Sequence, residues 1–582
     1  MLKAKNICFE VPDGEETRVL LNDVNFCVPR GHFMAIVGPS GCGKSTLLKA
    51  IAGINPVTSG SFFWEGRDLE EEGDFEPHEI GYVPQFSIAY DELTVDESIE
   101  YSARLRVNAD EDTLNDIIDN ALAETGLTEI ADRQVKLLSG GQKRRLGLAM
   151  ELVSSPRLLL CDEVTSGLDP RSEREIVELL HQLSLKDGRI VISVTHSLAQ
   201  MELYDSILVM VGGNLAYHGS PQTMNHYFNV SSFEDVYPML ACRDAEAWHD
   251  SWLKHYRDYY ERLNEEHIAK FERLGLPLPS AAPQLRHGDD EEEEASPQPG
   301  FLSQTLTLLR RRFCILFRDR AQLFLQVAMI LIFPVLVALF SGKGQEKIPG
   351  LPASETGQFT LADIEAAQQQ AEISAQVGTA VSGIIMFEVV LLGLMGSNNS
   401  SREIAGERLI VEKEKLAGVG VAPYVTSKLV YLAILVLVQS IWMFGFVQYF
   451  WPFRGDGMTH LGFLLLANAA MTSVCLGISA ACRTADQASL LSIYLVGFQL
   501  PLSGAVLALP DMVARLVQPF ISAYWSWSGS IEGGLDNQVK EVVISLNSTS
   551  FSAASVCTWV LIAHVIVGIG LAVWGASRTR WQ

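Results

Sequence analysis

Paired cysteines are the first thing this chain does without. Its nine cysteines, at 8, 27, 42, 161, 242, 314, 475, 482 and 557, form no CxxC pair and meet no histidine cluster at zinc spacing, which excludes a structural zinc site. Cations are also scarce, 44 Lys+Arg against 69 Asp+Glu for a net charge of -25. The deficit lies entirely in the first half: residues 1–300 carry 26 basic and 52 acidic residues, and residues 301–582 carry 18 and 17. Such a half lacks the basic footprint of a nucleic-acid binder, so no nucleic-acid partner is expected, and its charge reads as a solvated acidic surface. A leader is missing too: Met1 runs straight into polar, strand-like sequence without a basic n-region, an apolar core and a cleavage site, so the N-terminus is expected in the cytoplasm.

Apolar residues, by contrast, are abundant. A mean hydropathy of +0.17 over 582 residues, 48% of them hydrophobic, implies at least two domains with part of the chain in lipid. Six stretches approach the ~20 residues that span a bilayer, at 322–340, 379–396, 427–450, 460–481, 488–509 and 554–575. Ahead of them, over 301–320, Leu302, Leu306, Leu309, Phe313 and Leu316 recur at three and four residues, with Arg310, Arg311, Arg312, Arg318 and Arg320 on the other side. That pattern predicts an interfacial amphipathic helix, its basic face toward anionic headgroups and membrane lipids among its partners. Arg402, Arg408, Lys413 and Lys415 between the second and third spans, and Arg578 and Arg580 after the sixth, belong inside by the positive-inside rule. Both termini are then cytoplasmic, and 341–378, 451–459 and 510–553 face outward without a cysteine.

The first half carries the chemistry. A buried-strand pattern at His32–Val37 leads into Gly38-Pro-Ser-Gly-Cys-Gly-Lys-Ser-Thr46, the GxxxxGK[ST] phosphate loop, with a helix expected from Leu47 to Ala52. Gly38, Ser40, Gly41 and Gly43 let the backbone curl so that successive N–H groups face phosphates, aided by the helix N-terminus. Lys44 would reach the β/γ-phosphates of ATP, Ser45 would ligate Mg2+, and Thr46 completes the motif. After the apolar run Leu158–Cys161, Asp162 and Glu163 stand at the C-terminal end of a parallel strand, where open α/β sheets bind ligands. Asp162 suits the metal shell, and Glu163 suits the base that polarises an attacking water.

Leu138-Ser139-Gly140-Gly141-Gln142, set between those two motifs, gives the chain its resemblance to the ATP-binding cassette (ABC) ATPases. The likeness assigns further roles. Thr165-Ser-Gly-Leu-Asp169 resembles the D-loop, Gln85 in Tyr82-Val-Pro-Gln85 the glutamine that touches Mg2+ and senses the membrane domain, and His196 in Val194-Thr-His196 the switch histidine on the γ-phosphate. Phe9 resembles the adenine-stacking aromatic by its position in the first strand. Val164 departs from the family's usual proline, which alters local stiffness and leaves the acidic pair intact. In that family one ATP is held by the phosphate loop of one domain and the LSGGQ of another, so the resemblance implies a homodimer, or a heterodimer with a similar half-transporter.

The order of domains resembles the G subfamily of ABC half-transporters. It implies an α/β P-loop ATPase domain (1–230), a helical extension with an acidic linker (231–300), the amphipathic helix (301–320) and an all-α membrane domain of six helices (321–582). Trp248, Trp252, Tyr256, Tyr259 and Leu263 in the extension repeat at helical spacing, as packing would require. Pro277–Pro299, with six acidic residues at 289–294, reads as a disordered boundary. Glu407–Gly418, followed by Pro423–Lys428, looks like the subfamily's cytoplasmic loop that docks on the ATPase, and Tyr524, Trp525 and Trp527 resemble its re-entrant region, although interfacial aromatics are equally expected there. The first outward segment, with its Gln-rich Ala366–Ala371, is longer than the subfamily's.

The resemblance implies ATP-driven export of an amphipathic lipid-like or drug-like molecule across the plasma or inner membrane. The competing class is an ATP-powered regulator that moves no solute. A substrate cavity is expected from Phe387 and Val390 of the second span and Phe498 and Leu502 of the fifth. Glu388, near the middle of the second span, is either a functional carboxylate or half of an interhelical hydrogen bond, with Gln499 a candidate partner.

Overall fold

The computed structural model describes the chain apart from residues 15, 86–88, 276–297, 341–360, 453, 508 and 579–582. The acidic run, the start of the first outward segment and Arg580 lie outside the described residues. Two compact units result: one of Met1–Thr307 with Glu412–Val419, the other of Leu308–Val411 with most of the chain from Gly420 on.

Two sheets build the first unit. β1 (Leu2–Asp13), β2 (Glu16–Val28), β4 (Ser59–Trp64) and β5 (Arg67–Asp68) form an antiparallel sheet ordered β2-β1-β4-β5. β3 (Phe33–Val37), β6 (Ile80–Val83), β7 (Leu158–Asp162), β8 (Ile190–Val194), β9 (Ser206–Val211) and β10 (Asn214–Gly219) form the second, ordered β10-β9-β3-β8-β7-β6. β3 and β6–β9 run parallel, while β10 returns antiparallel beside β9. Every residue of β3, β7 and β8 is buried, as continuous apolar runs in a covered parallel sheet must be. The register sets Asp162 opposite Val194 and Val83 opposite Cys161. The residues that follow β6, β7 and β8 therefore emerge side by side.

Helices α1 (Lys44–Ile51) and α5 (Pro170–Leu185) pack on this sheet. α2 (Val95–Arg106), α3 (Glu111–Thr125) and one face of α4 (Gly140–Leu152) share a separate core around Ile99, Leu122 and Leu146. α4 reaches both cores, since its Leu148 and Leu152 join the sheet side. After α6 (Pro221–Phe228) and α7 (Val236–Leu240), the long α8 (Ala245–Leu274) buries Trp248 and Trp252 against the sheet core, so the aromatic stripe is packing.

The second unit is helical: α9 (Phe301–Arg318), which begins in the first unit, then α10 (Arg320–Phe340), α11 (Leu361–Ser400), α12 (Arg408–Leu416), which passes into the first unit at Glu412, α13 (Val421–Phe450), α14 (Gly457–Ala481), α15 (Ala485–Leu502), α16 (Asp511–Val517), α17 (Ser522–Gly534), α18 (Asn537–Leu546) and α19 (Ala554–Ser577). Among the described residues five helical segments are long and apolar enough to cross a membrane, within α10, α11, α13, α14 and α19. α15 occupies the fifth expected span but stops at Leu502 instead of 509, because Pro501 and Gly504, at φ +81°, end the helix. α11 starts at Leu361, not 379, since Ala, Glu and Gln, good helix formers, carry it past the apolar stretch. α14 and α19 pack at backbone distance: a Cβ on Gly568 would lie 2.4 Å from the Ser473 carbonyl carbon, and one on Gly575 2.6 Å from the Ala480 backbone.

Three expectations are corrected. The basic side of α9 does not all face headgroups: Arg311 and Arg312 are buried, and Arg312 forks onto Glu403 at 2.5 and 2.9 Å beneath the Tyr431 ring. Glu403 also accepts from Lys428 at 3.0 Å, so a guanidinium and an ammonium neutralise a carboxylate that would otherwise be stranded. The aromatics of the third outward segment turn inward to different extents, Trp525 staying partly exposed. Tyr524 and Trp527 are buried in the helical core, with the Trp527 indole N–H donating to Ser382. Gln499 does not pair with Glu388; it accepts from Ser522 and Ala523.

Candidate nucleotide site

The C-terminal edge of the parallel sheet gathers the first unit's motifs. At Gly38, φ +151°, a Cβ would sit 2.2 Å from the Met210 carbonyl oxygen, and at Gly43, φ +100°, 2.7 Å from that of Leu20. Neither position admits a side chain, so the loop's shape is written into its glycines. Lys44 is buried, its ammonium donating to the carbonyls of Gly38 at 2.9 Å and Pro39 at 3.0 Å. α1 starts there with no side-chain cap and no acid in its first turn, which leaves its leading N–H groups for an anion.

Ser45 donates to Asp162 at 2.8 Å, and Tyr82 donates to the other oxygen of the same carboxylate at 3.3 Å. Burial pushes the Asp162 carboxyl above its ordinary range despite these bonds and Lys49. A buried acid beside a hydroxyl and short of positive charge is the donor set a Mg2+ ion requires, so the residues fit that metal. One residue on, Glu163 sits at φ +49°, a left-handed backbone that non-glycine residues seldom adopt, and its N–H bonds Val194. Gln85 donates to its Oε2 at 2.8 Å, and the His196 ring lies 2.6 Å from its Oε1. Expected to touch Mg2+, Gln85 is engaged here with the neighbouring carboxylate.

Ser139 caps α4 by accepting from the Gln142 backbone N–H, while the Gln142 side chain accepts from the Ser139 N–H. LSGGQ is thus a capping box as well as a motif. Within the chain, a Cβ on Gly140 or Gly141 would meet only ordinary contacts, at 3.6 and 3.7 Å. Internal packing does not require those glycines. Asp169 caps α5, accepting from Arg171 and Ser172. Phe9 lies in β1 opposite Leu21, half-buried against the sheet core.

Residues 21–166 match the family described as ABC transporter, and residues 303–528 match the one described as ABC-2 type transporter. This chain belongs to the ABC transporters. An ABC transporter ATP-binding/permease protein of Mycobacterium tuberculosis is 27% identical over 533 residues, covering 89% of this chain and 56% of that protein. ABC transporter G family member 13 of Arabidopsis thaliana is 37% identical over 229 residues, 37% of this chain and 33% of that protein. The chain thus spans 56% and 33% of the length of these two relatives. A solved dimeric ATP-binding cassette bound to ADP and Pi is 28% identical, covering 38% of this chain and 98% of that one with a TM-score of 0.35. In this ABC transporter the ATPase family's match comes first and the integral membrane family's second.

Two groups of this ABC transporter were not legible beforehand. Glu151, buried in α4, accepts from Arg106 at 2.8 and 3.0 Å, and Lys413 lies 2.8 Å away within the same unit. Burial alone would raise this acid, yet Arg106 and Lys413 hold it down at about 2. No local spacing links residues 106, 151 and 413. The other is His460, 3.0 Å from Glu388. In the membrane unit a cavity of about 550 Å3 is lined by Phe387, Val390, Val337, Ser382 and Leu500. It unites two of the four expected apolar residues; Leu502 packs on the adjacent core and Phe498 is exposed.

Proposed function

We propose that this chain is one half of an ATP-driven exporter of an amphipathic lipid-like or drug-like molecule, working as a homodimer with two ATP sites. The observation that carries the catalytic part is Glu163, both of whose oxygens are engaged, by Gln85 and His196, beside the Ser45–Asp162 pair. Glu163 takes a proton from the attacking water, Gln85 positions that carboxylate, and His196 answers to the γ-phosphate. Ser45 and Asp162 would hold Mg2+, which when bound would supply positive charge against that developing on the phosphates. Lys44 and the α1 N-terminus bind the phosphates, with Gly41 open to them.

Support for a second copy comes from the signature. Ser139 and Gly140 begin α4 at an exposed end, and the sterically unforced Gly140 and Gly141 there suit close approach by another chain's nucleotide. Support for an apolar cargo comes from the cavity beside Phe387 and Val390. Both termini are proposed to be cytoplasmic, on the basic residues between the second and third spans.

The test is the full chain in sealed proteoliposomes with ATP supplied outside. Export predicts ATP-dependent accumulation of a fluorescent phospholipid or amphipathic dye, lost in Glu163→Gln. Steady ATP turnover without accumulation of any such probe would favour the regulator that moves no solute.

A further inference from the structure

Glu388 is fully buried in α11, and its Oε2 lies 3.0 Å from Nε2 of His460, in the first turn of α14. Its Oε1 has no hydrogen-bond partner among the described residues. Around the pair are Ile384, Ile385, Val389 and Leu392, with the Phe444 ring 6.0 Å from the imidazole. Other charges near these helices are engaged elsewhere. Asp456 caps α14 through Met458 and Thr459, and Glu532 of α17 pairs with Lys540 of α18. The buried neutral side chains Gln326 of α10, Gln439 and Ser440 of α13 and Gln499 of α15 are engaged elsewhere, with Tyr431, Asn399, Asn468 and Ser522 in turn. The hydrogen-bonding, titratable neighbour of Glu388 is His460. Twelve residues, about 18 Å of helix, separate Glu388 from Ser400, where α11 ends before Glu403 and its cations.

One proton fits this arrangement, and neither zero nor two does. Shared between carboxylate and imidazole, a single proton leaves the pair neutral overall. Its loss leaves the pair with a net negative charge among apolar side chains, and a second proton leaves it with a net positive one; either net charge is costly in such surroundings. The packed state of α11 on α14 therefore selects the one-proton form, whereas a state in which water reaches the pair tolerates all three.

We propose that Glu388 and His460 form a proton-binding site that locks α11 against α14, so that the membrane unit opens through exchange of that proton and turns over in a pH-dependent way. The site rests on the ABC transporter reading but not on export or on any cargo. Its test uses the full chain in lipid nanodiscs, with ATPase rates of wild type, Glu388→Gln, His460→Gln and the double variant compared across pH. Dividing each variant by wild type removes the pH dependence common to the ATP site. The expected ratio changes with pH, by up to about tenfold per unit at one proton's limit, with the double variant following the singles. Ratios flat across pH would overturn the proposal and leave a structural hydrogen bond, while a wild type without ATPase activity would instead contradict the proposed function. Should the variants fail to fold, hydrogen exchange in the first turns of wild-type α14 decides: slow exchange confined to a mid-pH window supports the lock, and pH-independent protection, after correction for intrinsic exchange, overturns it.

Discussion

With Glu163 as the proposed base, its replacement should separate binding from turnover. Glu163→Gln keeps the shape and the backbone at φ +49° but cannot accept the proton. ATP affinity should change little, while turnover falls by about 10²–10⁴, the range for a general base. Nucleotide titration alongside phosphate release checks both halves. His32 and His218 show a different single-residue effect. Burial pulls His32 down to about 4 and His218 to about 3, and both hydrogen-bond the buried Ser206, at 2.8 and 3.2 Å. An unfolded histidine takes up a proton below about pH 6.5, whereas these folded ones do not. Stability is therefore whole above pH 6.5 and lost as pH falls toward 4, by about 3 kcal/mol for His32 alone. Hydrogen exchange in β3 and β9 should weaken between pH 7 and 5, and less so in His32→Gln.

Among the elements, two contacts invite substitution. α14 and α19 approach so closely at Gly568 that Gly568→Leu cannot be accommodated without separating the helices. Loss of several kcal/mol follows, seen as early proteolysis or exchange in α19, while Gly570→Leu, which meets nothing within 4 Å, should be tolerated. The buried Arg106–Glu151–Lys413 triad is the second. Lys413→Met leaves Glu151 with one partner in a dry core, and removal of one member of such a group costs about 3–5 kcal/mol; thermal unfolding of the purified chain reports it.

Legibility in the sequence followed the range of the interactions. The phosphate loop, β7 and the caps of α4 and α5 are set by residues within a few positions of one another, so glycine spacing and apolar runs disclosed them. Arg312 was read as a headgroup contact because the amphipathic pattern of α9 cannot show Glu403, ninety-one residues away. Gln499 was the candidate partner of Glu388 and His460 was missed, since helix rotation is decided by packing and not by depth. α15 was drawn too long because apolarity continues past the Pro501 and Gly504 that end the helix.

For the whole molecule, the central claim is that one chain cannot complete an ATP site, because the residues on the α1 side and the Ser139–Gln142 side serve different nucleotides. Complementation addresses it directly. Lys44→Ala disables the phosphate loop and Gly141→Asp disables the signature, so each chain alone should hydrolyse no ATP. Co-expressed and purified together through two different tags, the mixed pair would hold one site with both defects and one with neither. The account predicts that ATPase activity reappears in the doubly tagged fraction and is absent from each variant alone. If the doubly tagged fraction assembles and binds ATP but stays inactive, while a mixed dimer of wild type and Lys44→Ala is active, the ATP site is complete within one chain and the account is contradicted.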